Sequence, residues 1–212
     1  MRSLFKQLPA IALAVALTAF LAVPTQAQMN TGASVDGSGF DVFWSALSGQ
    51  VNNPTAGTAA WVIDPADQHP NWVEPPAGAR WITAERGWEF DAPDDIWTTY
   101  FTNFNVANGD AFSLAGNWAT DNNATMWLNG TQVDMTGFTS FESLSAFEID
   151  AGFLSGENTL AVQVYNGSGS GNPSGVLVSD LRVVPEPMSA ALLGFGLVGL
   201  GFVARTRERE QS

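Results

Sequence analysis

The sequence predicts an all-β domain, a single β-sandwich or jelly roll, between two terminal targeting segments. Apolar residues in the central part come in short runs that alternate with polar residues, which is the period-two pattern of half-buried strands. Turn-forming residues separate these runs, as in Asn108-Gly109-Asp110 and Asn129-Gly130. Long stretches with the 3.6-residue period of a helix are absent from this central part, although residues 138–147 could hold one helical turn.

The N-terminus has the pattern of a secretory signal peptide. Arg2 and Lys6 precede a short apolar stretch over residues 8–23, and the small-residue end Thr25-Gln26-Ala27 follows. We expect cleavage after Ala27, so residues 1–27 are predicted to be the signal peptide. Export through the Sec machinery and signal peptidase follows from that prediction. Residues 31–39 are predicted to be a mobile lead into the domain.

The predicted domain covers residues 28–184 and contains nine candidate strands. These are residues 40–45, 59–63, 80–84, 97–106, 112–120, 124–128, 147–149, 159–166 and 176–183. Strands of this number and length, separated by polar turns, favour a sandwich. No internal repeat and no second domain is evident.

Alternation assigns side chains to faces in the second half of the domain. The apolar sets predict a core and include Leu114 and Trp118 in one strand, Met126 and Leu128 in the next, and Leu160, Val162 and Val164 in a third. The opposite faces carry polar residues with two aromatic residues among them, Trp127 and Tyr165.

The C-terminus predicts a transmembrane helix over residues 188–204. This segment has no charged residue, and at about 1.5 Å per residue its 17 positions span roughly 26 Å, close to the hydrocarbon core of a bilayer. Arg205, Arg207 and Arg209 follow directly and predict a cytoplasmic C-terminus.

The triplet Pro185-Glu186-Pro187, the Gly-rich span and the arginine cluster occur in order, and residues 185–212 thereby resemble a PEP-CTERM sorting signal. The resemblance implies a Gram-negative bacterium that makes exopolysaccharide. It also implies an exosortase-type membrane protease that removes the tail near the triplet, so that the inner-membrane anchor is transient. Glu208 and Glu210 interrupt the arginines and depart from the pattern.

The charge balance excludes one class of partner. Between the two terminal segments only Arg80, Arg86 and Arg182 are basic, against eighteen acidic residues, so the body carries about −15. Nucleic-acid binding depends on Lys and Arg and is therefore not expected. A neutral polysaccharide meets less electrostatic repulsion than an anionic one. The chain has no Cys, so packing alone must stabilise the exported domain.

Several short motifs resemble galactose-binding-domain-like sandwiches of exported bacterial proteins. They are a Trp-Ala-x-Asp turn at 118–121, a Leu-Asn-Gly hairpin at 128–130, a Gly-x-Asn-x-Leu strand entry at 156–160 and an Asn-Pro-x-Gly strand at 172–175. The resemblance covers roughly residues 80–184 and implies a fold that hosts carbohydrate binding, adhesion and purely structural roles.

The candidate ligand-binding residues lie on the predicted non-core faces. Trp127, Gln163, Tyr165 and Asn117 could form an aromatic plate with hydrogen-bonding groups, the arrangement that sugar recognition usually uses. Trp72 and Trp88 could form a second plate. The alternative is structural, with Trp127 and Tyr165 covering the second sheet or a crossing loop and the loop tryptophans pinning long connections.

Calcium is the one metal that the available ligands favour, with Asp121 and Asn123 as candidate ligands, although a polar turn explains the same residues. Otherwise no cofactor is expected. No catalytic residues are predicted, because His69 is the sole His and no serine stands in a Gly-x-Ser-x-Gly elbow. The adjacent Asp94 and Asp95 do not make a separated acid/base pair by themselves.

These observations predict an exported cell-surface or extracellular-matrix module that associates with carbohydrate or exopolysaccharide and is not an enzyme. Two alternatives stay open. The protein could be a purely structural or adhesive component of a biofilm matrix. The second alternative is a glycan-active enzyme, which the absence of a recognisable catalytic motif disfavours.

Overall fold

The computed structural model describes residues 29–106, 112–169 and 171–185, and within them the chain is all-β as predicted. The strands of the described residues are β1 Phe40–Ser48, β2 Thr58–Val62, β3 Ile82–Thr83, β4 Ile96–Val106, β5 Phe112–Asp121, β6 Asn123–Leu128, β7 Thr131–Met135, β8 Ser145–Ile149, β9 Gly156–Asn166 and β10 Gly175–Pro185. Among these described residues one 3-10 turn is present, Ser140–Glu142, and it lies in the stretch where one helical turn was predicted.

The strands form one antiparallel ladder in the order β7-β6-β9-β4-β1-β2-β3-β10-β5-β8. The ladder bends back on itself, so that its first half (β7-β6-β9-β4-β1) faces its second half (β2-β3-β10-β5-β8). One hydrophobic cluster joins the two halves, with Tyr100 and Val162 from the first and Trp118 and Val178 from the second. The architecture is therefore a sandwich.

The predicted core faces are confirmed. Leu114, Trp118, Met126, Leu128, Leu160, Val162 and Val164 are all buried in this cluster. All nine predicted strands are present, although the third is reduced to Ile82–Thr83. Strand β7 was not predicted, because its sequence TQVDM is half polar and mostly exposed at the edge of the ladder.

Residues 31–39 are not a mobile lead, so that prediction is wrong. Thr31 is buried, its hydroxyl donates to the Arg80 carbonyl at 2.7 Å, and its amide donates to the Val178 carbonyl at 3.0 Å. The buried Asp41 carboxylate accepts from the Gly32 amide at 2.6 Å, and burial raises the pKa of Asp41 despite such bonds. The segment thus belongs to the packed domain.

Two long connections cover the outer faces of the sandwich. Residues 49–57, between β1 and β2, cross the first half. Residues 64–81, between β2 and β3, cover the second half and form a separate apolar cluster in which Trp72 and Trp81 pack with ring centroids 4.3 Å apart. These two connections determine which part of each outer face is open to a ligand.

Candidate glycan-binding site

The outer face of the first half contains three of the four predicted ligand-binding residues. Register pairs β6 with β9 and β9 with β4, so three rows of outward side chains cross all three strands. The rows are Trp127–Ala161–Phe101, Thr125–Gln163–Thr99 and Asn123–Tyr165–Trp97. Trp127, Gln163 and Tyr165 therefore share one face, as alternation predicted.

Asn117 does not lie on this face. It belongs to β5, which pairs with β10 and β8 in the second half. Its side-chain amide donates to the Asp180 carboxylate at 3.0 Å. Alternation put Asn117 correctly on a non-core face, but the strand order places that face on the other half of the sandwich.

Residues 49–57 cover the middle of the face. The Gln163 side-chain amide donates to the Asn52 side-chain oxygen at 2.8 Å, and Gln163 is only 1% exposed. The Val51 amide donates to the Thr99 hydroxyl at 3.1 Å. The ring of Phe101 is buried beside Gly57. Gln163, one residue of the predicted plate, is thus packed beneath a crossing loop, whereas the structural alternative named Trp127 and Tyr165 as the covered residues.

One row remains open at the end of the strands, and we call Asn123, Tyr165 and Trp97 the aromatic row. The Trp97 and Tyr165 rings are half-buried, with centroids 5.1 Å apart and planes inclined at 43°. Asn123 lies directly opposite Tyr165 on β6. The row therefore presents two adjacent aromatic surfaces beside a side-chain amide, which is the combination of stacking and hydrogen-bonding groups sought in the sequence.

Asp95 lies beside the aromatic row and contacts Tyr165. The Tyr165 hydroxyl donates to its Oδ1 atom at 2.7 Å, and this hydrogen bond to the carboxylate raises the pKa of Tyr165 above its usual value. Asp95 has a φ of 53°, in the left-handed region that non-glycine residues seldom adopt. A residue held in such a conformation directly before β4 is worth testing for function.

An asparagine network fixes the loops behind the aromatic row. Asn166, the last residue of β9, donates to the Pro93 carbonyl at 2.9 Å, and Asn172 donates to the Asn166 side-chain oxygen at 3.0 Å and to the Gly167 carbonyl at 2.6 Å. The Gly169 amide donates to the Asp94 carboxylate at 3.2 Å. The segment that carries Asp95 is therefore held by hydrogen bonds before any ligand arrives.

Trp127 lies on the same face but in the row farthest from Tyr165. Its ring is half-buried, and its indole N–H donates to the Thr125 hydroxyl at 3.0 Å. The middle row with buried Gln163 lies between them, so Trp127 and Tyr165 do not form one continuous plate.

The second predicted plate is not formed. Trp72 is buried against Trp81, and its indole N–H donates to Asp121 Oδ2 at 2.7 Å. Trp88 is half-buried and belongs to a loop whose carbonyl at this residue accepts from the Ser174 amide at 3.0 Å. Trp72 therefore pins a long connection to the sandwich, as the structural alternative held.

The two candidate calcium ligands, Asp121 and Asn123, have different surroundings. Both Asp121 oxygens accept side-chain hydrogen bonds, one from Trp72 and one from Asn122, while Asn123 belongs to the aromatic row. Burial raises the pKa of Asp121 to about 6, although the Trp72 bond opposes this change. In the described residues no group of three or more acidic or His side chains could hold a metal ion.

Trp97 and Asp95 belong to the candidate site but were not among the predicted ligand-binding residues. Trp97 was placed in a strand, but its face was not assigned. Alternation within β4 alone would have grouped it with Thr99 and Phe101 on the outward face. Its pairing with Tyr165 depends on the contact between β4 and β9, about 68 positions apart in sequence, which no local pattern encodes.

The terminal predictions lie outside the described residues. They concern the signal peptide, the segment 188–204, and all of the sorting motif except Pro185, whose backbone ends β10. Residues 29–106, 112–169 and 171–185 contain no helix with the length and hydropathy of a membrane span.

Comparison with known proteins gives weak likenesses only. No family model matches the chain. No curated protein matches it either.

Similar solved structures include a family 35 carbohydrate binding module from an environmental isolate, at 13% identity over 74% of this chain and 95% of that one, with a TM-score of 0.37. TmCBM61 in complex with β-1,4-galactotriose is 11% identical over 70% and 92%, with a TM-score of 0.39. A calcium-binding mutant of Bacteroides uniformis β-glucuronidase 2 is 17% identical over 75% of this chain and 18% of that one, with a TM-score of 0.43. Since these scores are below 0.5, the fold assignment depends on the strand order and the shared core.

Proposed function

We propose that this protein is an exported, non-catalytic module that binds a neutral glycan through the aromatic row. Trp97 and Tyr165 stack against the apolar faces of one or two sugar rings, and Asn123 and Asp95 hydrogen-bond to hydroxyl groups. The observation that carries the proposal is the half-exposed Trp97–Tyr165 pair, whose Tyr165 hydroxyl is already oriented by Asp95.

Rigidity supports this assignment. A ligand gains affinity when the binding groups lose little conformational freedom on association. The aromatic rings rise from paired strands, and the asparagine network restrains the loops beside them. The site therefore loses little conformational entropy when a sugar binds.

The charge distribution supports a neutral ligand rather than an anionic one. Asp94 and Asp95 border the aromatic row, and the body as a whole carries about −15. A uronic acid or sulfated sugar would be repelled by this field, whereas hydroxyl groups are good donors to carboxylates.

We also propose the cellular route of the protein from the sequence. Residues 1–27 direct export, residues 188–204 hold the chain transiently in the inner membrane, and an exosortase-type protease releases it near Pro185-Glu186-Pro187. The protein then works at the cell surface or in the extracellular matrix. The mass of the protein recovered from culture medium tests this route: the expected mass lacks residues 1–27 and the apolar tail, and a full-length mass contradicts it.

A glycan array probed with the full chain in mild detergent tests the binding function, followed by calorimetric titration of the best neutral glycan. Trp97→Ala should weaken binding at least about tenfold, because a stacking surface worth more than about 1.4 kcal/mol is removed. Tyr165→Phe keeps the ring and removes the hydroxyl bond to Asp95, so it should weaken binding less than Tyr165→Ala.

Phe43→Ala is the matched control, since Phe43 is an exposed aromatic residue of β1 outside the aromatic row. Thermal unfolding of each variant establishes that folding is intact. If Trp127→Ala abolishes binding while Trp97→Ala does not, the site is the opposite row of the face. If no neutral glycan binds, the structural or adhesive role in a matrix takes precedence, and glycan turnover in the same array would indicate an enzyme.

A further inference from the structure

The last strand carries the chain to the end of the sandwich that is opposite to the aromatic row. β10 begins beside Asp121 and ends with Pro185 paired to Phe112, the first residue of β5. In the antiparallel pair β4 and β9, Trp97 and Tyr165 lie at the end of the sandwich where β10 begins. Val106 and Gly156 lie at the second end, where β10 finishes. We call the second end, marked by Phe112, Phe153 and Leu154, the exit end.

Very little chain separates the exit end from the apolar segment 188–204. Only Glu186 and Pro187 stand between Pro185, which is still paired in the ladder, and Met188. The distance from Pro185 to Met188 can be at most about 11 Å in a fully extended chain. A lipid headgroup layer is about 5–8 Å thick on each side of the hydrocarbon core. A spanning segment that begins at Met188 therefore holds the exit end within reach of the headgroups.

The exit end has the side chains for such a contact. Phe112 is half-buried and packs on Phe153 with ring centroids 4.8 Å apart. Leu154 is 56% exposed, and two hydrogen bonds of 2.8 Å between its backbone and the Asn158 side chain fix its position. An apolar side chain fixed on the outside of the loop, next to an aromatic cluster, suits the interface of a bilayer.

The charges at this end specify the lipid. Glu148, Asp150 and Glu157 are exposed near the termini of β8 and β9. These carboxylates would be repelled by anionic headgroups. The contact therefore suits a zwitterionic lipid surface.

We propose that, while residues 188–204 span the membrane, the exit end lies against zwitterionic headgroups and the aromatic row is directed away from the membrane. This rests on the tether of the proposed function and not on glycan binding. β4 has eleven residues, so the two ends are about 33 Å apart. The glycan site would then be free of the lipid surface while the chain is still anchored.

The absence of Cys makes site-specific labelling simple. The full chain would be reconstituted in phosphatidylcholine vesicles that contain a headgroup spin-labelled lipid, with a fluorophore on Leu154→Cys or, as the matched control at the other end, on the exposed Ser168→Cys. Quenching should be at least about twofold greater at position 154, because that label falls in the headgroup layer.

A flexible Gly/Ser spacer of about ten residues, inserted between Pro187 and Met188, adds a mean span of about 17 Å and should reduce quenching at position 154 towards the control value. Equal quenching at positions 154 and 168 without the spacer would overturn the proposal. So would an undiminished signal with the spacer, which would show adhesion independent of the tether. Extraction of the chain by a carbonate wash would refute the tether itself, whereas loss of glycan binding alone would leave the membrane contact intact.

Discussion

Replacing Asp121 by Asn should remove the Asp121 share of the stability that the protein loses as the pH rises from about 4 to about 7, while the raised pKa of Asp41 leaves a contribution in the same direction. Asp121 is 3% exposed, lies beneath Trp72, and has a pKa raised by burial from 3.8 to about 6. The folded protein therefore holds this proton more tightly than the unfolded chain does. The stabilisation is fully present below pH 3.8 and is lost as the pH passes about 6.

The magnitude follows from the two pKa values. The interval from 3.8 to about 6, at roughly 1.4 kcal/mol for each pH unit, corresponds to about 3 kcal/mol of unfolding free energy. The side chain that Asp121→Asn introduces cannot titrate. Its amide N–H₂ would also face the Asn122 amide, which now donates to the carboxylate, so at low pH the variant should be about 1 kcal/mol less stable than the wild type with Asp121 protonated.

Urea unfolding monitored by tryptophan fluorescence at about pH 4 and about pH 7.5 measures both effects. At the lower pH the wild-type protein should be clearly more stable than Asp121→Asn. At the higher pH the wild type should have lost about 2–3 kcal/mol that the variant keeps, so the variant should then be the more stable of the two. Asp150→Asn, at an exposed position, is the matched control and should show the wild-type pH dependence. A constant difference between wild type and Asp121→Asn at the two pH values would refute the reasoning.

Two further substitutions test the coverage of the outer faces by urea unfolding. Gly175→Ala should destabilise the fold by about 1–3 kcal/mol, because its Cβ would lie 2.9 Å from the Trp72 ring, whereas Gly37→Ala, with no atom within 4 Å, should be nearly neutral. Asn52→Ala should cost about 1–3 kcal/mol by leaving the buried Gln163 amide without its partner. The Asn52→Ala cost should largely disappear in a Gln163→Leu background, and its persistence there would contradict the bond as the cause.

Local patterns predict the strands and the inward faces of this domain well. The period of two in β5, β6 and β9 identified Leu114, Met126 and Val162 as core residues, since each strand feels the same division between core and outer face along its length. Strand β7 was not predicted, because an exposed edge strand does not need alternating apolar residues.

Strand order was not predictable in the same way. β5 and β6 are separated only by Asn122, yet each pairs with other strands, β5 with β10 and β8 and β6 with β9 and β7. This transfer between the halves separates Asn117 from Trp127. The ladder is set by contacts distant in sequence, so a face assignment for one strand does not specify its neighbours.

Burial of the outward residues was missed for a related reason. Gln163 has the position of an exposed strand residue, but Asn52, 111 positions away in sequence, covers it. Such a contact leaves no signal in the periodicity of either segment. The same limit explains why Thr31, in a polar stretch, was taken for part of a mobile lead although it bonds to β10.

The coverage of the outer faces also constrains where any ligand can bind. Removing residues 50–56 would widen the site across Gln163 and Phe101, but it would expose an aromatic ring and a buried amide that the loop now shields. That exposure costs free energy, because apolar surface returns to water at about 25 cal/mol for each Å². The free energy of unfolding of a domain without disulfides is small, so exposure of this face would remove a large part of it. Of the two ends that remain, β10 leads the chain to one, and the aromatic row lies at the other, which is where the proposed glycan would reach the proposed anchored form.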